Sequence, residues 1–174
     1  TATVCVSDQE NATACATLDI QVAGDTTPVA ILSADFENGQ AGFRYTDDSF
    51  RSTSAPGYAD GELDAAGGYS GGGLKVTLGG IDNVNVYGMS GGWETDFLLD
   101  RNTEVTLSLR YNLTQWPDYE SDERSQLLVQ LDDELIAPGG SAIVAQVVGD
   151  GEGGSPVTTG WQTLNLGLGQ LAAG

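Results

Sequence analysis

The residues best able to do chemistry lie in residues 115–123, a short acidic stretch between two predicted strands. Four of its side chains are carboxylates: Asp118, Glu120, Asp122 and Glu123. Loops that present several oxygen ligands suit Ca²⁺, so the stretch is a candidate calcium site. Because no strict D-x-D-x-D-G loop is present, a solvated acidic turn with Arg110 and Arg124 as ion-pair partners is the alternative interpretation.

Aromatic side chains accompany these carboxylates and occur in other loops of the chain. A Trp or Tyr ring has a flat apolar face and a polar edge, and such a face can stack on a sugar ring while polar neighbours bond the hydroxyl groups. The candidate ligand-binding aromatics are Trp116, Tyr119, Tyr69, Tyr58 and Tyr87. Trp93 and Trp161 instead begin predicted strands, so they are expected in the core or at the edge of the sandwich.

The composition argues against an enzyme. The chain has no histidine, which excludes Ser-His-Asp and Cys-His nucleophiles and imidazole zinc sites. Two carboxylates facing each other across a cleft can hydrolyse a glycoside. A chain with 25 acidic residues has many carboxylates available, so this requirement neither supports nor excludes a glycoside hydrolase. We therefore predict a protein without catalytic activity.

The formal net charge is −19, from 25 acidic and 6 basic residues. Nucleic-acid binding depends on Lys and Arg side chains that neutralise phosphates, so no nucleic-acid partner is expected. The charge is explained either by solubility in a salty extracellular medium or by binding of divalent cations. No apolar run reaches the length of about 18 residues that a spanning helix needs, and no membrane insertion is expected.

Alternating apolar residues predict an all-β fold. In residues 104–111 every second side chain is apolar, which is the period of a half-buried strand. Residues 125–136 show a similar pattern and are expected to form its partner strand. Further strands are predicted at 73–80, 142–148 and 159–166. The chain of 174 residues is long enough for one β-sandwich.

Residues 1–24 form a separate predicted unit, a β-hairpin. Cys5 and Cys15 lie symmetrically about the polar turn at 8–11, so they would face each other across the ladder, where a disulfide can form. That disulfide would indicate an oxidising compartment; two buried free thiols are the alternative. The sequence TATVCVSDQENATACATLDIQV resembles the closing hairpin of immunoglobulin-like or cadherin-like repeats in large bacterial surface proteins. Since two strands are not stable alone, the hairpin is expected to pack on the rest of the chain, unless strands that precede it are missing.

The remaining unit, residues 28–174, resembles the jelly-roll (concanavalin-like) carbohydrate-binding modules. The resemblance rests on an opening DFENG followed by GF, a central SGGW and YESDE, and a late TTGWQ. In many such modules the first carboxylates contribute to a structural calcium site, which implies Asp35 and Glu37 here. The alternative is that both carboxylates face solvent while Phe36 lies in the core. Because further strands follow the GW strand in these modules, 28–174 is expected to lack its last strand or strands.

Together these observations predict an antiparallel jelly-roll β-sandwich with an N-terminal hairpin. The resemblance implies a non-catalytic, calcium-stabilised module that binds a polysaccharide or other glycan, within a larger secreted or cell-surface protein. The alternative is a structural subunit of an extracellular fibre or adhesin, assembled by strand exchange with neighbouring copies. A third interpretation is a calcium-dependent spacer.

Overall fold

The computed structural model describes residues 2–8, 12–23, 29–47, 49–50, 59–79, 89–117, 119–150 and 154–174, with backbone pairing alone for 2–8 and 12–23. Within these residues the protein is all-β, and every strand pair is antiparallel. The prediction of an all-β, antiparallel sandwich is thereby confirmed, while the jelly-roll order of strands stays a prediction. No helix in the described ranges is long and apolar enough to cross a membrane.

The described residues form fourteen strands and one short 3₁₀ turn. The first seven strands are β1 (Ala2–Asp8), β2 (Ala12–Ala23), β3 (Val29–Ala34), β4 (Arg44–Asp47), β5 (Ala59–Asp64), β6 (Gly73–Leu78) and β7 (Met89–Thr95). The other seven are β8 (Thr103–Tyr111), β9 (Thr114–Gln115), β10 (Arg124–Leu131), β11 (Glu134–Leu135), β12 (Ala145–Val148), β13 (Val157–Thr158) and β14 (Gln162–Leu171). The 3₁₀ turn is Pro138–Gly140.

The strands form two sheets. The six-stranded sheet has the order β11–β10–β1–β7–β4, with β12 also paired to β10. The eight-stranded sheet contains the path β13–β9–β2–β6–β5, and β3 and β8 also pair with β2 while β14 pairs with β8. The two sheets share one core, to which buried side chains of β6, β7, β8 and β10 contribute. The indole N–H of Trp93 on β7 donates to the Lys75 carbonyl oxygen on β6 (3.1 Å), a hydrogen bond that joins the sheets.

Strand β8 forms as its sequence pattern predicts. Its apolar positions Val105, Leu107 and Leu109 are fully buried, and the intervening positions face outward. The strand expected to be its partner, β10, lies in the other sheet: β8 pairs with β2 and β14, whereas β10 pairs with β1, β11 and β12. That prediction is wrong because alternation reports which face of a strand is buried, and not which strand lies beside it.

The expected ladder between the two N-terminal strands does not form. Strand β1 lies between β7 and β10, and β2 lies in the other sheet. Cys5 is opposite Leu128 and Gly92, while Cys15 is opposite Lys75. The register from which their disulfide was predicted is therefore absent, and their side chains lie outside the described part of the chain. Strand β1 thus has two neighbours, and β2 pairs with four strands along its length. Both are more stable there than in an isolated two-stranded hairpin.

Candidate functional site

One outward-facing row of side chains extends along β8 and continues into β9. Every odd-numbered residue from 103 to 115 is buried, and every even-numbered residue from 104 to 116 is at least partly exposed. The alternation passes through the short break between the two strands without a change of face. Arg110, Asn112, Thr114 and Trp116 therefore lie on the same outer surface, and at about 3.3 Å per residue the row from the first to the last spans roughly 20 Å. We call this row, with the side chains that contact it, the outer face.

Three side chains meet at one end of the outer face. The Arg110 guanidinium carbon lies 3.8 Å from the centre of the Tyr69 ring. The Tyr69 ring also contacts Trp161 edge to face, with ring centres 5.8 Å apart and planes at 84°. Tyr69 is 54% exposed, and Trp161 is half-buried just before β14. The result is an aromatic and cationic surface of fixed geometry that remains open to solvent.

The loop between β5 and β6 holds Tyr69 in this position. The N–H of Gly68 donates to the Gly71 carbonyl oxygen (2.8 Å), which closes the loop on itself. The N–H of Gly72 donates to Glu37 Oε1 (3.1 Å), which ties the loop to the segment after β3. Gly71 has φ +75°, a conformation that glycine adopts without strain. These bonds explain why a glycine-rich loop can present a large side chain at one place.

Polar groups connected by hydrogen bonds occupy the middle of the outer face. The Thr114 hydroxyl donates to the Thr158 hydroxyl (3.0 Å), which in turn donates to Asn112 Oδ1 (2.8 Å). The Thr158 hydroxyl also accepts the Gly160 N–H (3.0 Å). Because the side-chain carbonyl oxygen of Asn112 accepts this bond, the side-chain NH₂ group of Asn112 can donate to a ligand.

Trp116 lies at the other end of the outer face. Its side chain is 49% exposed, whereas the preceding residue, Gln115, is fully buried. The exposed indole offers a flat apolar face to which a ligand could bind. The outer face therefore has exposed aromatic surface at both ends and hydrogen-bonding groups between them.

Arg110 differs from Arg44 and Lys75 in its partners. Arg44 bonds Glu94 and Asp96 at 3.1 Å each, and the hydrogen bond and charge of Asp96 raise the pKa of Arg44. Lys75 pairs with Glu62 at 2.7 Å. Arg110 makes no ion pair with any carboxylate in the described ranges, so its N–H groups can bond a ligand.

The three described candidate calcium ligands of the acidic crossover, Glu120, Asp122 and Glu123, do not gather around a common point. Glu123 Oε2 accepts the Glu120 N–H (2.8 Å), and the Glu123 N–H donates to the Glu120 carbonyl oxygen (3.0 Å), so the two residues close a turn. Asp122 is exposed beside them, and Asp118 lies outside the described residues. Across the part of the chain that the structure describes, no three Asp, Glu, His or Cys side chains gather where they could hold a metal ion.

Asp35 and Glu37 each accept a hydrogen bond from a backbone N–H group. Asp35 Oδ1 accepts the Glu37 N–H (3.1 Å), and Glu37 Oε1 accepts the Gly72 N–H. Phe36 between them is buried and packs edge to face on Phe43, with ring centres 5.6 Å apart. This is the arrangement of the alternative interpretation, with Phe36 in the core and both carboxylates exposed.

The structure separates the predicted aromatic candidates. Tyr69 and Trp116 lie on the outer face with exposed rings. Tyr119 is only 7% exposed, which corrects its assignment as a stacking residue because a buried ring offers no face to a sugar. Tyr58 and Tyr87 lie outside the described residues.

Sequence reasoning missed the roles of two residues at this site. Trp161 lies half-buried directly before β14, in keeping with the expected edge position, but its contact with Tyr69 was not predicted. Arg110, which the alternative interpretation paired with the acidic turn, contacts Tyr69. The alternation in β8 could have indicated part of this site, because it places Arg110 on the same face as Trp116. Nothing in the local sequence indicates that Tyr69, from a loop more than 40 residues earlier, would cover Arg110.

No protein-family model, characterised protein or solved structure matches this chain. The resemblance to carbohydrate-binding modules therefore rests on the sequence pattern alone, and the outer face is the structural feature that bears on function.

Proposed function

We propose that the protein is a non-catalytic glycan-binding module, part of a larger secreted or cell-surface protein. One observation carries the proposal: Tyr69, held between Arg110 and Trp161, and the exposed Trp116 mark the two ends of a single polar row on one sheet. The sequence pattern shared with carbohydrate-binding modules points in the same direction.

The chemistry of the outer face suits a chain of sugars. Exposed indole and phenol rings supply flat apolar surface on which the C–H face of a pyranose can stack. The amide and hydroxyl groups of Asn112, Thr114 and Thr158 lie between the rings, where they can bond ring hydroxyls. At roughly 20 Å the row is long enough for several consecutive units, so an extended polysaccharide fits it better than a monosaccharide.

The test is a glycan array followed by titration calorimetry with the best soluble ligand. We expect Trp116→Ala and Tyr69→Ala each to weaken binding about tenfold, equivalent to about 1.4 kcal/mol. Leu98→Ala is the matched control, because it also shortens an exposed apolar side chain, 78% exposed. Leu98 lines a pocket with Thr103, at the opposite end of β8 from Arg110. Unchanged affinity in both aromatic variants, or an equal loss in Leu98→Ala, would contradict the proposal.

Calcium stays a prediction of the sequence. The described candidate carboxylates do not gather, and Asp118 lies outside the described residues. The proposed glycan binding needs no ion, and a melting curve measured with and without EDTA decides the question separately. A lower melting temperature in EDTA would support a structural calcium ion, and an unchanged one would remove it.

A subunit assembled by strand exchange is the second candidate function. It is favoured by the place of β1, which lies between two strands from the middle and later parts of the chain. Such a strand can be donated to a neighbouring copy if the chain folds at high concentration. Refolding at high concentration should then give multimers that persist on dilution, and refolding to monomers alone would exclude this candidate.

A further inference from the structure

Strand β14 forms an edge of the eight-stranded sheet. Nine of its ten residues pair with β8, from Gln162, opposite Tyr111, to Leu171, opposite Thr103. Among the described strands none pairs with its other side. Half of its backbone N–H and C=O groups therefore point to a side where a further strand could be added.

The edge has no charged residues. Residues 154–174 contain no Asp, Glu, Lys or Arg, in a chain that has 25 acidic and 6 basic residues. Edge strands of natural proteins are commonly protected against pairing by charged side chains. The absence of charge here is therefore a property of this edge that the average composition does not explain.

The core beneath the edge is only partly covered. Leu164 is buried, whereas Leu166, Leu168 and Leu171 pack on the core but remain partly exposed. Burying such apolar surface favours association. An added strand would cover these leucines and extend the core beyond the present edge.

A β-bulge limits how much of the edge can pair. The register with β8 shifts between Gly167 and Gly169, and Gly169 has φ +75°. Bulges bend a strand and interrupt its ladder. The regular part is thus residues 162–167, paired without interruption to 106–111, and six residues are the usual length of a whole strand.

We propose that residues 163–167 of β14, within this regular part, pair antiparallel with the same segment of a second copy, to form a twofold symmetric dimer. The charge distribution favours a copy of this chain as the occupant, because two molecules of charge −19 repel each other least where their surfaces carry no charge. A twofold contact brings the same patch from both molecules, so each uncharged edge meets another.

The side-chain pattern fixes the register. With Asn165 opposite Asn165 of the second copy, Leu164 faces Leu166 on the core side of the joined sheets. Thr163 faces Gly167 on the outer side, and no charged or bulky pair has to be accommodated there. A register shifted by one residue would place Leu166 opposite Asn165 and is disfavoured.

The test is sedimentation equilibrium of the whole chain over a wide concentration range at physiological ionic strength. We expect a monomer–dimer equilibrium that reverses on dilution and strengthens with added salt, because salt screens the repulsion between copies. Asn165→Asp should raise the dimer dissociation constant at least about tenfold, since it puts two carboxylates directly opposite each other.

Asn38→Asp is the matched control: the same atoms change at another exposed position, distant in sequence from β14. It should leave the dimer unchanged, and circular dichroism checks that both variants keep the fold. A monomer at every concentration, a dimer that Asn165→Asp leaves intact, or an equal loss in Asn38→Asp would each overturn the proposal. Dimers that form only on refolding and do not dissociate would indicate strand exchange, and would overturn it as well.

Discussion

Gln115 is a fully buried amide that finds no hydrogen-bond partner for either of its side-chain polar atoms in the described part of the chain. A buried polar atom left unbonded costs about 1–3 kcal/mol, so at the lower end of that range its two atoms cost about 2 kcal/mol. Methionine has a similar length and flexibility without polar hydrogens, and a volume-conserving exchange in a core costs less than about 1.5 kcal/mol. We therefore expect Gln115→Met to stabilise the fold by about 1 kcal/mol.

Chemical denaturation gives the free energy of unfolding, and calorimetry should show a melting temperature about 2–4 °C higher. Leu113→Met is the control, since Leu113 is also fully buried and the exchange measures the cost of repacking without a change in polarity. If Gln115→Met is less stable than the wild type while Leu113→Met is not, the amide contributes to the fold and the reasoning is refuted.

Three further perturbations test other parts of the structure. Burial raises the pKa of Tyr111 above its ordinary value of 10.0, so the folded state holds this proton more tightly than the unfolded state. The contribution of Tyr111 to stability should therefore be constant below pH 10 and be lost as the pH rises past it, and Tyr111→Phe should flatten that fall in denaturant melts. Leu107→Ala removes a fully buried side chain and should cost about 2–5 kcal/mol of unfolding free energy, whereas a loss below about 1 kcal/mol would mean that the core is loosely packed. Gly149→Ala should lower the melting temperature, because its Cβ would overlap the backbone carbonyl oxygen of Tyr119; an unchanged value would show that this loop can shift.

The sequence predicted best those features that depend on the nearest neighbours in the chain. Strand β8 was expected at 104–111 and forms at Thr103–Tyr111, because burial of every second residue is a local pattern. The same pattern could not identify the strands beside it. The expected pairing with β10 and the hairpin of β1 with β2 both failed, since each of these strands found partners far along the chain.

The outer face was predictable only in part, for a similar reason. Trp116 is a candidate because it is an aromatic residue of the acidic crossover, and it is exposed. Tyr119, three residues later, is a candidate on the same ground and is buried. The difference comes from the path of the crossover between the sheets, which composition does not encode. The contact of Tyr69 with Arg110 and Trp161 depends on three distant segments meeting, and no local pattern reports that.

The position of β1 has a consequence for how the molecule is made. Ala2 pairs with both Thr95 and Leu131, so during synthesis β1 leaves the ribosome long before either of its partner strands. Loops that long are slow to close, and topologies rich in such distant pairs fold slowly. Until β1 is in place, β7 with β4 and β10 with its short neighbours are two separate parts of the six-stranded sheet. The net charge of −19 favours solubility of the chain in the meantime.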